Sequence, residues 1–324
     1  MKKLLGLFLL YTFIVLGVPI LLVLLLRAKP EIKKSTEPLD SITTYVAAED
    51  AVQTLDFSEY LKGVVAAEMP ASFHTEALRA QAVAARSYVL YRRNGYLRDG
   101  IPEAHHGALA CTDSAHCKAW KSPDELRNAW GADYEVHMQK IAAAVEDTAG
   151  IVLTYDGELV NAVFHSTSSG RTESAKDVWG GDVPYLVSVA SYGDELSPRF
   201  SSKVSLSAEE YKQKLQSVYP EAQFADGDAL VGEILRSAAG GIKEIQTGGV
   251  RLTGTQFRNL YGLCSTNIEF TQSANSITMT VTGNGHGVGL SQYGANYLAN
   301  QGKTYEEILK TYYTGVSVET YKEK

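Results

Sequence analysis

The sequence predicts an α+β protein carried behind an N-terminal membrane helix. Three observations predict this. Residues 4–26, LLGLFLLYTFIVLGVPILLVLLL, form a run of 23 uncharged positions. Beyond them, helix-like and strand-like segments follow one another in mixed order, with no internal repeat and no regular βαβ alternation. The 324 residues, 45% of them hydrophobic, suffice for a sizeable core.

At ~1.5 Å per residue the apolar run exceeds the roughly 30 Å hydrocarbon core of a bilayer, so it spans with some tilt. A cleavable signal peptide has a shorter apolar region and a small-x-small cleavage site. This run has neither, so it reads as an uncleaved anchor. The division is then 1–29 for a short head and the anchor, 30–41 for a solvated linker rich in Lys, Glu and Pro, and 42–324 for the folded remainder. Lys2 and Lys3 precede the span, while Arg27, Lys29, Lys33 and Lys34 follow it. By simple count these charges leave the large part cytoplasmic. The formal net charge of −7 argues against a nucleic-acid partner, which requires a basic face.

Residues 42–57 alternate and contain β-formers, predicting a short hairpin. Ser58 is the expected N-cap of a helix reaching Met69, where Pro70 stops it. A second helix, rich in Ala, Leu, Gln and Arg, is expected over 75–93, ending at Asn94-Gly95. Residues 96–123 show no period and read as a long loop, a length that implies function or a staple. A helix over 134–148 precedes IVLTY-DG-ELVNAVFHS (151–166), a hairpin turning on Asp156-Gly157. Helices are expected near 207–217, 254–261, 291–300 and 304–313, and strands near 267–283.

The helix over 58–69 carries a carboxylate on its apolar face. Leu61, Val64, Val65 and Glu68 stand at i, i+3, i+4 and i+7, one stripe of a helix. Partial burial and the negative end of the helix dipole both disfavour the charged form there, which suits a proton donor. The alternative is a glutamate whose stem packs on the core while its head reaches water. On the second helix Arg86 lies beside the apolar positions Leu78, Ala82, Ala85 and Val89. It is placed to hold a substrate carboxylate or the Glu68 head, or to form an ordinary surface ion pair. Glu76 and Asp56 look like exposed helix-entry and loop charges, so no second acid matches Glu68. No HExxH-like pattern exists, which argues against a zinc hydrolase.

YLKGVVAAEMPASFHTEALRAQAVAARSY (60–88), HSTSSGRTESAKDVWGGDVPYLVSV (165–189) and GHGVGLSQYGA (285–295) together resemble stage II sporulation protein D. That family comprises membrane-anchored lytic transglycosylases of endospore-forming bacteria, and the resemblance runs colinearly over residues 42–320. It implies two lobes around a glycan-binding cleft, with a lobe boundary expected near 150–165. It also implies cleavage of the MurNAc–GlcNAc β-1,4 bond during septal peptidoglycan remodelling and engulfment. The family's acid falls on Glu68 and its catalytically important arginine on Arg86. Ser166, Ser168, Arg171, His286, Gln292 and Tyr293 fall in the other two motifs as candidate sugar contacts. Where the family has STSGGRTE, Ser169 here replaces a glycine, which matters if that glycine needs a positive φ.

Peptidoglycan is extracytoplasmic, so the resemblance overrides the charge count. It places residues 30–324 outside the cytoplasm, on the mother-cell side of the septum, with sporulation protein P (an amidase) and membrane protein M as partners. A Cys111–Cys117 disulfide is then permissible. ACTDSAHC also resembles the family's metal-binding segment. His105, Cys111, His116 and Cys117 supply two thiolates and two imidazoles, a common tetrahedral zinc set with no open position for water. The expected zinc is therefore structural, closing the 96–123 loop; His106 is an alternative to His105. Cys264 reads as a buried small apolar residue. A glycan-binding module without catalysis, like the related amidase enhancers, is the competing function.

Overall fold

The computed structural model describes residues 37–113, 116–225 and 229–322. The expected membrane span at 4–26 lies outside the described residues. Among the described residues no helix is long and apolar enough to cross a membrane.

The chain opens with the expected hairpin, β1 (Ser41–Val46) and β2 (Ala51–Asp56), paired antiparallel. Helix α1 (Phe57–Glu68) follows directly. Its N-cap is Asp56, whose carboxylate accepts from the Glu59 N–H at 3.0 Å, rather than Ser58. The short Asx side chain satisfies an orphan donor, and the helix starts two residues earlier than expected. At the other end Pro70 follows the C-cap Met69.

Helix α2 (Thr75–Asp99) is the centre of the fold. It packs against α1, α4 (Tyr134–Asp147), α8 (Gln292–Asn300), α9 (Tyr305–Tyr312) and strand β4 (Ile151–Tyr155). Ala77, Ala80, Ala82, Ala84 and Ala85 are all fully enclosed, because small side chains let several helices approach one axis. The helix does not end at Asn94-Gly95. It continues to Gly100, since Tyr96 packs edge-on against His105 and accepts from Arg92 Nε at 2.9 Å. That packing outweighs the roughly 1 kcal/mol helix penalty of one glycine.

The stretch expected as a long loop contains a 3₁₀ turn (Glu103–His105) and strand β3 (Ala110–Cys111), which pairs parallel to β1. It is followed by α3 (Pro123–Trp130), which Ser122 and Glu125 open with a reciprocal capping box. In the next hairpin Asp156 and Gly157 both have positive φ, 51° and 78°, as a two-residue primed turn requires. Its second strand, β5 (Glu158–Leu159), is short, and β14 (Ser317–Thr320) completes the sheet on the other side of β4. Strand β6 (Phe164–His165) pairs parallel with β13 (Leu290–Ser291), joining two distant segments. Between them lies α5 (Ala175–Trp179).

A second hydrophobic core is inserted before β13. It gathers β7 (Ser201–Ser207), α6 (Ala208–Val218), β8 (Ile234–Arg236), β9 (Ile242–Thr247) and β10 (Val250–Thr253). Helix α7 (Gly254–Tyr261) and strands β11 (Asn267–Gln272) and β12 (Ser276–Thr282) complete it. Tyr211, Leu215, Phe257, Ile277 and Met279 are its fully buried centre. Val152, Leu153 and Val160 belong instead to the first core, with α1 and α2. The cores therefore part near residue 200 and rejoin near 283, not near 150–165. The architecture is α+β with mostly antiparallel sheets, as expected, and two short parallel pairings.

Candidate functional site

Glu68 closes α1 on the stripe where the periodicity placed it. Leu61, Val64 and Val65 are fully buried, and Glu68, one turn on, is half-buried. Its Oε1 accepts the backbone N–H of Ala119 at 3.0 Å, and its Oε2 accepts Gln292 Nε2 at 3.3 Å. Gln292, 5% exposed, also donates to Gln81 Oε1 at 3.4 Å. The surroundings of the carboxyl group are polar and well supplied with donors.

Ala119 reaches Glu68 because residues 118–121 lie on α1. A Cβ at Gly63 would meet Trp120 Nε1 at 2.3 Å and Lys121 O at 2.8 Å, so only glycine permits this approach. Lys118, between Cys117 and Ala119, sets its ammonium 3.8 Å from the Phe164 ring centroid and 4.7 Å from that of Tyr88. Burial pushes its pKa down to about 8, and the negative charge of Glu68 is the main opposing influence.

The glycine-rich motif 285–295 is shaped by close approach. A Cβ at Gly289 would meet Val163 O at 2.1 Å, and one at Gly285 would meet His165 Cβ at 2.7 Å. Its run beside residues 163–165 brings His286 to His165, with ring centroids 5.6 Å apart, and to Trp179 at 5.2 Å. His165 donates Nδ1–H to Val288 O at 3.1 Å and accepts the Ser168 hydroxyl on Nε2 at 2.7 Å. Burial holds its pKa down to about 4, so the ring is neutral. Burial, together with the neighbouring His165, likewise holds His286 well below the ordinary value.

Ser168, Arg171 and His286 line one small hollow. Ser168 is itself buried, its N–H donating to Asp194 Oδ1 at 3.0 Å, whereas Arg171 is exposed and donates to Ser188 O at 3.3 Å. The Ser166 carbonyl accepts the Tyr293 N–H at 3.1 Å, and the Tyr293 ring packs edge-on against Phe73. Ser169 needs no special backbone: the positive φ of the loop, 94°, is at Gly170, and the Ser169 hydroxyl donates to Ala239 O at 3.4 Å.

Arg86 is not part of this group. Its guanidinium is fully enclosed and forms a bidentate pair with Glu37, Nε–Oε2 2.6 Å and Nη2–Oε1 2.5 Å. It also donates to Ile151 O and Val145 O, each at 3.2 Å. It is neither a surface ion pair nor in reach of a glycan. An arginine beside an apolar stripe looks the same in sequence whether it rims a cleft or seals a core.

The four predicted ligands converge. The ligand atoms of His105, Cys111, His116 and Cys117 all lie within 4.8 Å of one another. His105 Nε2 is 2.9 Å from His116 Nδ1 and 3.2 Å from Cys117 Sγ, and Cys111 Sγ is 3.6 Å from His116 Nδ1. Zn–S of ~2.3 Å and Zn–N of ~2.0 Å imply tetrahedral edges of about 3.3–3.8 Å, which the observed separations bracket, and two thiolates with two imidazoles are a donor set such an ion takes. His105 Nδ1 donates to Ala108 O at 3.0 Å, which turns the Nε2 lone pair toward the cluster. His106 points elsewhere, stacked on Tyr45 with centroids 4.2 Å apart. All three cysteines are free thiols, and half-buried Cys264 packs against the second core.

Stage II sporulation protein D of Bacillus subtilis is 39% identical to this chain, over 86% of it and 78% of that protein. The chain belongs to the stage II sporulation protein D family. The family's Bacillus amyloliquefaciens member is 38% identical over 90% of the chain and 81% of its own length. The family model described as Stage II sporulation protein matches residues 45–155, which hold Glu68 and all four converging ligands. An amidase enhancer of Bacillus subtilis is similar at 27% identity, over 81% of this chain and 40% of that protein.

Sequence reasoning missed several members of the site of this family member. The donor on Glu68 Oε1 is a backbone N–H, which leaves no mark in a sequence. Gln81 looks like any polar residue of a helix. Lys118 and His165 stand inside or next to the motifs and were open to recognition, but only packing shows what they face.

Proposed function

We propose that this protein is a peptidoglycan lytic transglycosylase working in septal wall remodelling and engulfment during sporulation. The observation that carries the reading is the placement of Glu68: a half-buried carboxyl group at a helix end, aimed by Ala119 N–H and Gln292. Of the nearby carboxyl groups, Asp177 is paired with Lys243 at 2.7 Å and Asp182 is exposed, while two others are enclosed. Asp194 is fully buried, and Glu173, 6% exposed, accepts the Gly241 N–H at 3.0 Å.

Glycosidases that use water or a covalent intermediate need two carboxyl groups. A lytic transglycosylase needs one. Glu68 donates its proton to the oxygen linking MurNAc C1 to GlcNAc, and the C1–O bond breaks. The carboxylate then takes the proton of the same MurNAc C6 hydroxyl, whose oxygen bonds to C1 and closes a 1,6-anhydro ring. The nucleophile is already attached, so positioning replaces a second catalytic group. Ser168, Arg171 and His286 at their shared hollow, with Gln292, Ser166 and Tyr293 nearby in sequence, are the proposed glycan contacts.

Zinc is the proposed ion for His105, Cys111, His116 and Cys117. A closed Cys₂His₂ set supplies structural stabilisation and no Lewis-acid chemistry. Its effect is to hold the segment that ends in Lys118 and Ala119 at Glu68. In this reading residues 4–26 anchor the chain, residues 30–324 are extracytoplasmic, and proteins P and M are partners. The similarity to an amidase enhancer supports a second reading, a glycan-binding module that stimulates an amidase. Turnover of purified glycan strands by wild type and Glu68→Gln separates the two, since a binding module has no turnover to lose.

A further inference from the structure

Gln81 is an amide set where an apolar side chain would fit. It lies on α2 between Ala80 and Ala82, and all three side chains are fully enclosed. Its Oε1 accepts from Gln292 Nε2 at 3.4 Å, while its own Nε2 meets no acceptor among the described residues. Gln292 Nε2 also donates to Glu68 Oε2 at 3.3 Å. Three side chains from α2, α8 and α1 thus form one chain of contacts that ends on the candidate acid. A buried donor without an acceptor is costly, and an apolar residue of the same shape would avoid that cost. Gln81 turns its oxygen to Gln292 and leaves its nitrogen unmet.

We infer that Gln81 is a positioning residue for the proton transfer, acting through Gln292. The inference rests on the reading of Glu68 as the acid. The Ala119 backbone N–H can only donate, so it holds Glu68 Oε1 as an acceptor and leaves the acid proton to Oε2. Oε2 is the oxygen that faces Gln292. A glutamine amide free to turn over could offer that proton its oxygen and hold it back from the substrate. Gln81 Oε1 takes one hydrogen of Gln292 Nε2, which keeps the NH₂ side of Gln292 toward Glu68. The proton on Oε2 then has the glycosidic oxygen as its acceptor. It moves there as the C1–O bond breaks, and the carboxylate recovers a proton from the C6 hydroxyl as that oxygen bonds to C1. Gln81 itself is enclosed and touches no sugar.

The test uses the full chain in detergent and purified glycan strands. Gln81→Met keeps the shape and removes the amide. It is expected to lower kcat about 5- to 20-fold, the scale of one net hydrogen bond, and to leave KM within about twofold. Its melting temperature should stay close to wild type, because the unmet donor of Gln81 is exchanged for one on Gln292. A glutamine with a merely structural role would lose stability and activity together. Gln292→Ala should also lower kcat, and adding Gln81→Met to it should cost nothing more, since the one residue acts through the other. Gln81→Leu provides the same comparisons if the Met variant melts early. Wild-type kcat in Gln81→Met overturns the inference, and so does a raised KM at unchanged kcat. A fall in melting temperature that tracks the loss of kcat in both variants, or a full further loss in the Gln292→Ala background, overturns it as well. Full activity in Glu68→Gln would remove the acid itself, whereas a dead Glu68→Gln beside a fully active Gln81→Met would remove only the role of Gln81.

Discussion

Two residues beyond Cys117 of the His/Cys cluster, the N–H of Ala119 donates to Oε1 of Glu68 at 3.0 Å. The segment that carries the four clustered ligands therefore ends on the candidate acid. Stability of that segment and activity at Glu68 should not be separable.

Replacing Glu68 by Gln keeps a carbonyl oxygen for the Ala119 N–H and removes only the transferable proton. Turnover is expected to fall at least about 100-fold, the usual scale for a general acid. The melting temperature should fall only slightly, because the head group is half-buried and only the 3.3 Å contact from Gln292 Nε2 is lost. Activity near the wild-type level would show that Glu68 is not the acid.

Purified protein is expected to hold one zinc per chain by elemental analysis. Cys111→Ser should lose the metal, lower the melting temperature and reduce turnover together, since binding energy at such a site is also folding energy of its loop. Chelation should do the same, and added zinc should reverse it. A metal-free, fully active protein with a 111–117 disulfide would reject the site. Zinc loss without loss of activity would reject the coupling to Glu68.

Arg86 is expected to matter through folding. Arg86→Met leaves the Glu37 carboxylate buried beside an apolar side chain, a change that typically costs about 3–5 kcal/mol. Denaturant unfolding should show a loss of this size, and changing Glu37 to Gln in the same chain should recover part of it. If Arg86→Met melts like wild type yet is inactive, the arginine has a chemical role that its enclosed position does not suggest.

His165 makes stability depend on pH with a defined sign. Burial holds its folded pKa down to about 4, while an unfolded histidine titrates near ~6.5. Between those values the unfolded chain binds a proton that the folded chain does not. The contribution is thus fully present above about pH 6.5 and falls as pH drops toward 4, by up to about 3 kcal/mol. Unfolding free energies across this window should fall more steeply for wild type than for His165→Gln. Identical slopes would mean that the ring titrates normally in the fold.

Much of the helical framework is legible in the sequence because its signal is local. The stripe Leu61, Val64, Val65, Glu68 places the candidate acid, and Asp156-Gly157 marks a turn that only residues tolerant of positive φ can make. What was not legible depends on contacts from far along the chain. The parallel pairing of Phe164–His165 with Leu290–Ser291 joins segments more than a hundred residues apart. The end of α2 is set by Tyr96 packing on His105, which overrides a good local stop signal. In the site, spacing and residue type bring out the four side chains that cluster, His105, Cys111, His116 and Cys117. The partner of Arg86 did not show, since Glu37 sits in what reads as a solvated linker.

The chemistry of the cut ends distinguishes a transglycosylase from a hydrolase most directly. Mass spectrometry of products from purified glycan strands should find 1,6-anhydro-N-acetylmuramic acid at the new termini, because a single carboxyl group and an internal C6 hydroxyl leave water no part in the reaction. Termini heavier by one water, with a reducing N-acetylmuramic acid, would show hydrolysis and contradict the one-carboxylate mechanism.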